Sequence, residues 1–513
     1  MLAAGIALPR LRWRDRPASI VFRGAVVHDG TTAAGTRADV VVEGGRIASV
    51  GLGATAAQVI DLSGLALAPG FVDIHSHGDG TMDEDGRAES LIRQGITTMV
   101  VGQDGGSRSN FAAAWPRSSV NVATMIGLGT VRGAVVGQDD RPATPGELSR
   151  MVAMVEKAVA NGACGASSGL EYPPSGFARP DELAALCRPL ARRGLPYATH
   201  MRNEDDRLLE SIDESIGVAR GAGCPLEVSH LKAQGPRNWA KMSEALARLE
   251  AAQAAGLDAA FDIYPYVAYA TGLANLFPLW SRDGGTPQFL TRLGTDTLQA
   301  RLRAETEAKV ALIGGWDNVL VSSAPADADQ SAVGKRMGEY SRSRNADPYD
   351  ATVALIQAHK GQTGMVGFGM SEENVELGLA HRLASVCSDG GAVAVDGPTR
   401  RGRPHPRSVG TFPRVLGRYV RERKALSIEN AIHKMTERPA RRVKLADRGR
   451  IAAGMAADLV AFDPATVADR STFEDPFQYP VGIELVMVNG TVSLQRGSRT
   501  EARAGRALTP ARS

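Results

Sequence analysis

Cysteine is scarce. The chain has four, Cys164, Cys187, Cys224 and Cys387, among 513 residues, and no two stand at a CxxC spacing. That excludes a disulfide framework and a thiolate zinc knuckle, and leaves the four as buried small apolar residues. Long apolar runs are missing too: nothing approaches the roughly 18 uninterrupted apolar residues of a membrane span, so no membrane partner is expected. Neither sign of charge is in surplus, since 59 Lys and Arg face 56 Asp and Glu for a formal charge of +3. A binder of phosphate backbones carries a far stronger bias, and nucleic acid is not an expected partner. At the N-terminus the apolar stretch Leu2 to Leu8 has no basic region before it and is broken by Pro9 ahead of Arg10, Arg12 and Arg14. This is not an export-signal pattern; the cytoplasm is the expected location, with a trimmed signal upstream left open. What is present is ordinary globular composition, 43% hydrophobic and 22% charged, in a length that suits two to four domains of roughly 100–200 residues.

From Ile20 to about Gly70, short β-type runs (Ile20–Val27, Ala38–Val42, Arg46–Val50) are separated by turns such as Glu43-Gly44-Gly45. The texture returns in Asp458–Phe462 and Ile483–Val488, where Asn489-Gly490 makes a hairpin turn into Thr491–Leu494. The two chain ends, 16–69 and 441–500, therefore read as one small β-sandwich domain. Between them eight apolar runs alternate with helical stretches, the pattern of parallel βα units: Gly70–His77, Ile96–Asp104, Asn121–Gly129, Ala163–Glu171, Pro196–His200, Pro225–His230, Asp258–Tyr264 and Leu383–Asp389. Eight is the count of a closed (β/α)8 TIM-like barrel, so the expected fold class is α/β, with the barrel at 70–440. The helix after His200 is the clearest. Leu208, Leu209, Ile212, Ile216 and Ala219 recur at helical spacing, Glu204, Asp205 and Asp206 stand at its positive end, and Gly221 and Gly223 stop it. Residues 275–350 break the rhythm with polar, helix-prone sequence and read as an inserted lid subdomain. Val366–Met370 is a strand-like run without an assigned place. The Arg-rich end of the chain, 501–513, reads as a disordered tail.

In Phe71-Val72-Asp73-Ile74-His75-Ser76-His77 the two histidines are two apart on a strand, so both imidazoles project from one face and can reach one metal. Alone, such a pair is as well explained by two core histidines with hydrogen-bond partners. His200 and His230 tip the balance, because each ends a predicted strand and their spacing matches one βα repeat. Barrel active sites collect at the C-terminal ends of the strands, where the first, fifth and sixth strands bring four histidines to one rim. Asp389, in Val386-Cys387-Ser388-Asp389-Gly390-Gly391, ends the eighth strand beside the first. In that company a carboxylate reads as a metal ligand and a general base rather than a turn former.

Ala68–His77, Gly95-Ile96-Thr97-Thr98, Gly169-Leu170-Glu171-Tyr172-Pro173-Pro174, Thr199-His200-Met201-Arg202, Ser229-His230-Leu231-Lys232, Ser388-Asp389-Gly390, His405-Pro406-Arg407 and Gly454–Val460 form an ordered set over nearly the whole chain. The set resembles the amidohydrolase superfamily and, within it, the N-acyl-D-amino-acid deacylase (D-aminoacylase) family. The resemblance implies a barrel dependent on one or two zinc ions, a flanking β domain and a lid inserted late in the barrel. It implies a small acyl amino acid as substrate, cut at its amide to a carboxylate and a free amino acid; the D configuration comes from the resemblance alone. One departure stands out. Where that family looks like Gly-Asn-Cys-Gly after the second strand, with a thiolate metal ligand, this chain has Gly102-Gln103-Asp104-Gly105. A carboxylate can stand between two dications about 3.5–4 Å apart, so Asp104 is the expected bridging ligand, and its harder oxygen leaves divalent metals other than zinc open. Lys232, Arg407 and Tyr172 match positions that bind the substrate carboxylate in the family, a task suited to two cations and a phenol. Two rivals stay open. One is a dipeptidase or another linear or cyclic amide hydrolase, many of which carry a carboxylated lysine on the fourth strand, where Ala163–Glu171 has none. The other is an inactive scaffold on the same fold, which would be expected to have lost its ligands.

Overall fold

The computed structural model describes residues 19–108 and 118–511. Leu2–Leu8 and the arginines that follow lie outside the described residues. No helix among the described residues is long and apolar enough to cross a membrane.

Eight short parallel strands form the centre: β1 (Phe71–Asp73), β2 (Ile96–Val101), β3 (Asn121–Thr124, resuming as Ile126–Gly127), β4 (Ala166–Gly169), β5 (Tyr197–His200), β6 (Leu226–Val228), β7 (Ala259–Ile263) and β8 (Ala384–Val386). Each pairs with the next along the series. Every expected run holds a strand, and nearly all its residues are buried, because helices such as Pro180–Ala191 and Leu208–Ala222 cover the outer face. Among the described residues no ladder joins β8 to β1. That seam is held at the rim, where Ser388 N–H donates to Asp73 Oδ1 at 2.8 Å, Asp389 N–H to the His75 carbonyl at 2.8 Å and His77 N–H to the Gly390 carbonyl at 2.9 Å.

The helix Leu208–Ala222 ends where Gly223, at φ +73°, takes the left-handed cap; Gly221 lies inside it. Its expected acidic start is corrected. Glu204, Asp205 and Asp206 precede the first turn, and Glu204 and Asp205 are buried, because cations of the rim and of the insert take their carboxylates.

The two chain ends meet in a seven-stranded sheet in which Leu459–Phe462 runs antiparallel to Ala66–Pro69. A four-stranded sheet, ordered Arg46–Gly51, Asp39–Glu43, Ile20–Arg23, Gln58–Asp61, shares one apolar core with it. Phe22, Val40 and Ile47 meet Leu67, Leu459, Leu485 and Met487 there. Asn489 and Gly490, at φ +50° and +80°, make the tight turn between Ile483–Val488 and Thr491–Gln495, and a Cβ on Gly490 would stand 2.4 Å from Gly45 Cα.

The insert is wider than the expected 275–350. Its helices, including Asp296–Leu312 and Pro348–Ala358, accompany a three-stranded antiparallel sheet of Tyr269–Gly272, Gly364–Gly367 and Val319–Ser323. The run around Val366 thus belongs to the insert and not to the central strands. The tail expectation is corrected over 501–511: Ala507–Leu508 pairs parallel with Val122–Ala123. The break of β3 at Met125 leaves the edge of its first half open, and the tail fills it, with Leu508 packed against Val100, Ala123 and Cys164. All four cysteines are free and buried.

Candidate active site

The rim is built where the strands stop being regular. Asp104, His230 and Asp389 have φ of +50°, +36° and +49°, the left-handed region that costs a non-glycine residue roughly 1–2 kcal/mol. Backbone hydrogen bonds hold two of them there. Asp389 N–H is tied to His75, and His230 N–H donates to Asp262 Oδ1 at 2.7 Å. With these three turns after β2, β6 and β8, and with His75 and His77 following β1 and His200 ending β5, the six side chains His75, His77, Asp104, His200, His230 and Asp389 come together.

They form two groups that share Asp104: His75, His77, Asp104 and Asp389, and Asp104, His200 and His230. In the first, His75 Nε2 lies 3.5 Å from Asp104 Oδ1 and 3.6 Å from Asp389 Oδ1, and His77 Nε2 lies 3.3 and 3.1 Å from the same two carboxylates. In the second, His200 Nδ1 and His230 Nε2 are 3.0 Å apart and lie 3.8 and 3.5 Å from the Asp104 oxygens. His75 Nε2 and Asp104 Oδ1 are buried without a hydrogen bond, a loss of about 1–3 kcal/mol apiece that a dication between them would repair. Nitrogen and oxygen donors in these numbers suit zinc and similar divalent ions, so the residues present fit a metal.

The electrostatics agree. Burial raises Asp104, but His75 and His230 hold it well below the usual carboxylate range; burial raises Asp389, but Arg407 and His230 hold it low. His75, wholly buried, falls to about 4. His77 is pulled down by burial yet held well above its ordinary value by the two carboxylates. His230 is likewise pulled down by burial yet raised to about 10, with Asp389, Glu204 and Asp104 beside it. Two ionised carboxylates thus stand among imidazoles, of which they hold His77 and His230 in the charged form.

The outer ring nitrogens face further carboxylates. His200 Nε2 is 3.5 Å from Glu171 Oε2, His230 Nδ1 is 3.1 Å from Glu204 Oε1, and His75 Nδ1 is 3.8 Å from Asp262 Oδ1. Carboxylates so placed orient metal-holding imidazoles when hydrogen-bonded to them; here His200 Nε2 and His75 Nδ1 face theirs without an aligned hydrogen bond. The sequence reading gave none of the three this role. Asp262 had a usable signal, an acid inside the apolar run Ala259-Ala260-Phe261-Asp262-Ile263. Glu204 was hidden by its place before a helix.

Lys232, Arg407 and Tyr172 line the same cavity, of about 520 Å3, as His77, Asp104, His200, His230 and Asp389; His75 is buried beneath it. Lys232 Nζ donates to Glu204 Oε1 at 2.7 Å and lies 2.7 Å from His230 Nδ1. Arg407 Nη1 is 2.7 Å from Asp389 Oδ2 but makes no aligned hydrogen bond. Both cations flank the ring of Tyr264, at 5.8 and 4.8 Å from its centroid, another residue the sequence reading passed over. The Tyr172 hydroxyl pairs with Thr271 at 3.2 Å.

Against known proteins, the amidohydrolase family model matches residues 58–493. The chain is 34% identical to a D-aminoacylase of Alcaligenes xylosoxydans xylosoxydans, over 96% of this chain and 98% of that one. It is 35% identical to an N-acyl-D-glutamate deacylase of the same organism, over 92% of each. Among solved structures, a D-aminoacylase with a binuclear metal center superposes with a TM-score of 0.80 at 34% identity, over 96% of this chain and 99% of that one. An N-acyl-D-glutamate deacylase from Bordetella bronchiseptica, complexed with zinc and a phosphonate mimic of the tetrahedral intermediate, gives 0.79 at 32% identity, over 95% and 98%. A TIM-type barrel with an added domain follows from these superpositions. With the matching model spanning most of its length and relatives alike from end to end, the chain belongs to the amidohydrolase family, in its D-aminoacylase branch.

Proposed function

We propose that this chain is a metal-dependent hydrolase of N-acyl-D-amino acids, cleaving the amide to a carboxylate and a free D-amino acid. The observation that carries the reading is a pair of donor groups sharing Asp104 on a cavity that also presents two cations, Lys232 and Arg407. In this reading His75, His77 and Asp389 hold one divalent ion, zinc by preference, and His200 and His230 a second, with Asp104 between them. Bound there, such ions polarise a carbonyl and bring the pKa of a water towards neutrality. The chain's own residues do the rest. Asp389, kept ionised beside Arg407, takes a proton from the attacking water and returns it to the departing amine. Arg407, whose Nη1 has no aligned partner, and Lys232 receive the α-carboxylate over the Tyr264 ring, and the Tyr172 hydroxyl adds a donor. The architecture in this reading is a closed (β/α)8 barrel, a β-sandwich made by the chain ends and a lid made by the insert.

The rivals fare less well on specific residues. β4 reads Ala166-Ser167-Ser168-Gly169 and offers no lysine to carboxylate. An inactive scaffold has no use for six convergent donors and three strained backbone positions. The test is a substrate panel with the metal content followed by atomic emission. N-acyl-D-amino acids should be hydrolysed by the metal-loaded protein, the L enantiomers left intact, and activity lost to a chelator. Dipeptides or cyclic amides turned over with equal or better kcat/KM would hand the site to the first rival; no turnover of any amide by the loaded protein would hand it to the second.

A further inference from the structure

The two histidines of the second group are braced from different parts of the molecule. Behind His230, Glu204 is held by Lys232 at 2.7 Å and by Gln234 at 2.8 Å, both on the segment that follows β6. Behind His200, Glu171 is gripped by the insert. Lys309, near the end of the helix Asp296–Leu312, places Nζ 3.6 Å from Glu171 Oε1, while the other oxygen of that carboxylate faces His200 Nε2 at 3.5 Å. The same ammonium donates to Asp205 Oδ2 at 2.5 Å, on the segment that leaves β5 just after His200. A second insert residue, the buried Arg282, donates to the Glu171 carbonyl at 2.9 Å. The carboxylate of Glu171 is therefore ion-paired, and its backbone carbonyl hydrogen-bonded, from outside the barrel.

We infer that Lys309 is a positioning residue: by holding Glu171 against the outer nitrogen of His200, the insert sets the metal affinity of the group formed by Asp104, His200 and His230. This rests on the metal reading of the site proposed above. A carboxylate that accepts from the outer N–H of an imidazole fixes its tautomer and ring plane, and losing such a partner typically costs about 10–100-fold in metal affinity. Without the ammonium, Glu171 loses the cation that balances its charge and its reason to stay beside the ring. Lys309 does not itself line the cavity, and its ion pairs go to Glu171 and Asp205 rather than to any of the candidate ligands. Its side chain is 22% exposed, so removing it opens no sealed cavity. The insert is then more than a cover, because docking it completes one half of the metal centre and leaves the other half alone.

The test uses the full chain loaded with zinc, with a competing chelator resolving the affinity of each ion and atomic emission giving the stoichiometry. Lys309→Ala should weaken one of the two ions by about tenfold and leave the other unchanged. Glu171→Gln should weaken the same ion. Lys309→Arg should restore most of the loss, since it returns the charge at a similar reach. Lys309→Ala indistinguishable from the parent would overturn the inference, and so would both ions weakening together with a fall in Tm, the mark of a merely structural residue. A parent chain that binds no zinc would overturn the reading of the site and this inference with it, whereas an unchanged Lys309→Ala in a zinc-binding parent would overturn the inference alone.

Discussion

At the barrel rim, left-handed backbone is borne by Asp104, His230 and Asp389, and buried polar atoms such as His75 Nε2 and Asp104 Oδ1 have no hydrogen bond. In the two sheets at the chain ends it falls mostly on glycines such as Gly44, Gly45 and Gly490, and the shared core is Phe22, Val40, Leu459, Met487 and their apolar neighbours. Both regions are ordered, but at the rim the strain and the unpaired polar atoms fall together on candidate site residues, whereas in the sheets the non-glycine left-handed residues Asn489 and Arg496 belong to hairpin turns. Such costs persist where the surrounding fold over-determines them, and they gather at functional sites. The contrast makes a prediction of kind: substitutions at the rim should change chemistry with little change in stability, and substitutions in the sheets the reverse.

The largest effect is expected at Asp389. Asparagine tolerates left-handed backbone as aspartate does and fills the same space, so Asp389→Asn should fold with a Tm close to the parent. It cannot take a proton from water, and kcat should fall by about 10³-fold, within the range for a lost general base. Steady-state kinetics beside a thermal scan checks both halves. Near-normal turnover would remove Asp389 from the mechanism, and a collapsed Tm would show that the rim carries the fold as well.

The mirror experiment is Phe22→Ala. Phe22 is fully buried in the core between the two sheets, and a Phe→Ala change in such a place costs about 3–5 kcal/mol. Denaturant unfolding should register that loss, while kcat/KM measured well below the transition stays at the parental value. A proportional loss of activity would break the comparison by coupling the sheets to the rim.

How much of this could be read beforehand followed the range of the interactions. The central strands were legible because each is a short, wholly buried run of small and apolar residues with few charges, and the Asn489-Gly490 turn because a two-residue hairpin demands left-handed residues. The insert's sheet was not, since Tyr269–Gly272 and Val319–Ser323 meet across Gly364–Gly367 only after the chain has wandered through helices between them. The tail misled because its arginines look solvated, while the feature that orders it, the open edge of β3, lies nearly 400 residues away. In the site, the residues that converge were legible from chemistry at strand ends, and their supports were not. Glu204 sits where an acid would favour a helix start, and nothing local says that it turns inward to Lys232 and His230. Lys309, on the helix Asp296–Leu312, gives no sequence hint that it reaches Glu171.

The smallest changes, at Asp104, sharpen the comparison most, because there the strain and the charge of the rim fall on one residue. Asp104→Asn keeps the left-handed backbone and removes the charge; Asp104→Ala removes the charge and adds a backbone cost of roughly 1–2 kcal/mol. Asp104→Cys carries a similar backbone cost and keeps an anion, since a metal-bound thiol is a thiolate whose bond to zinc is about 2.3 Å against about 2.0–2.2 Å for oxygen. If Asp104 stands between two ions and offsets their repulsion, metal content by atomic emission should rank cysteine beside the parent, with asparagine and alanine each one equivalent short. Thermal stability of the metal-free proteins should rank differently, asparagine with the parent and alanine and cysteine below it. Two orderings that disagree would separate the charge from the strain. If all three variants bind as much metal as the parent and only the stability order remains, Asp104 is a turn residue, and the site must work with the four histidines and Asp389 alone.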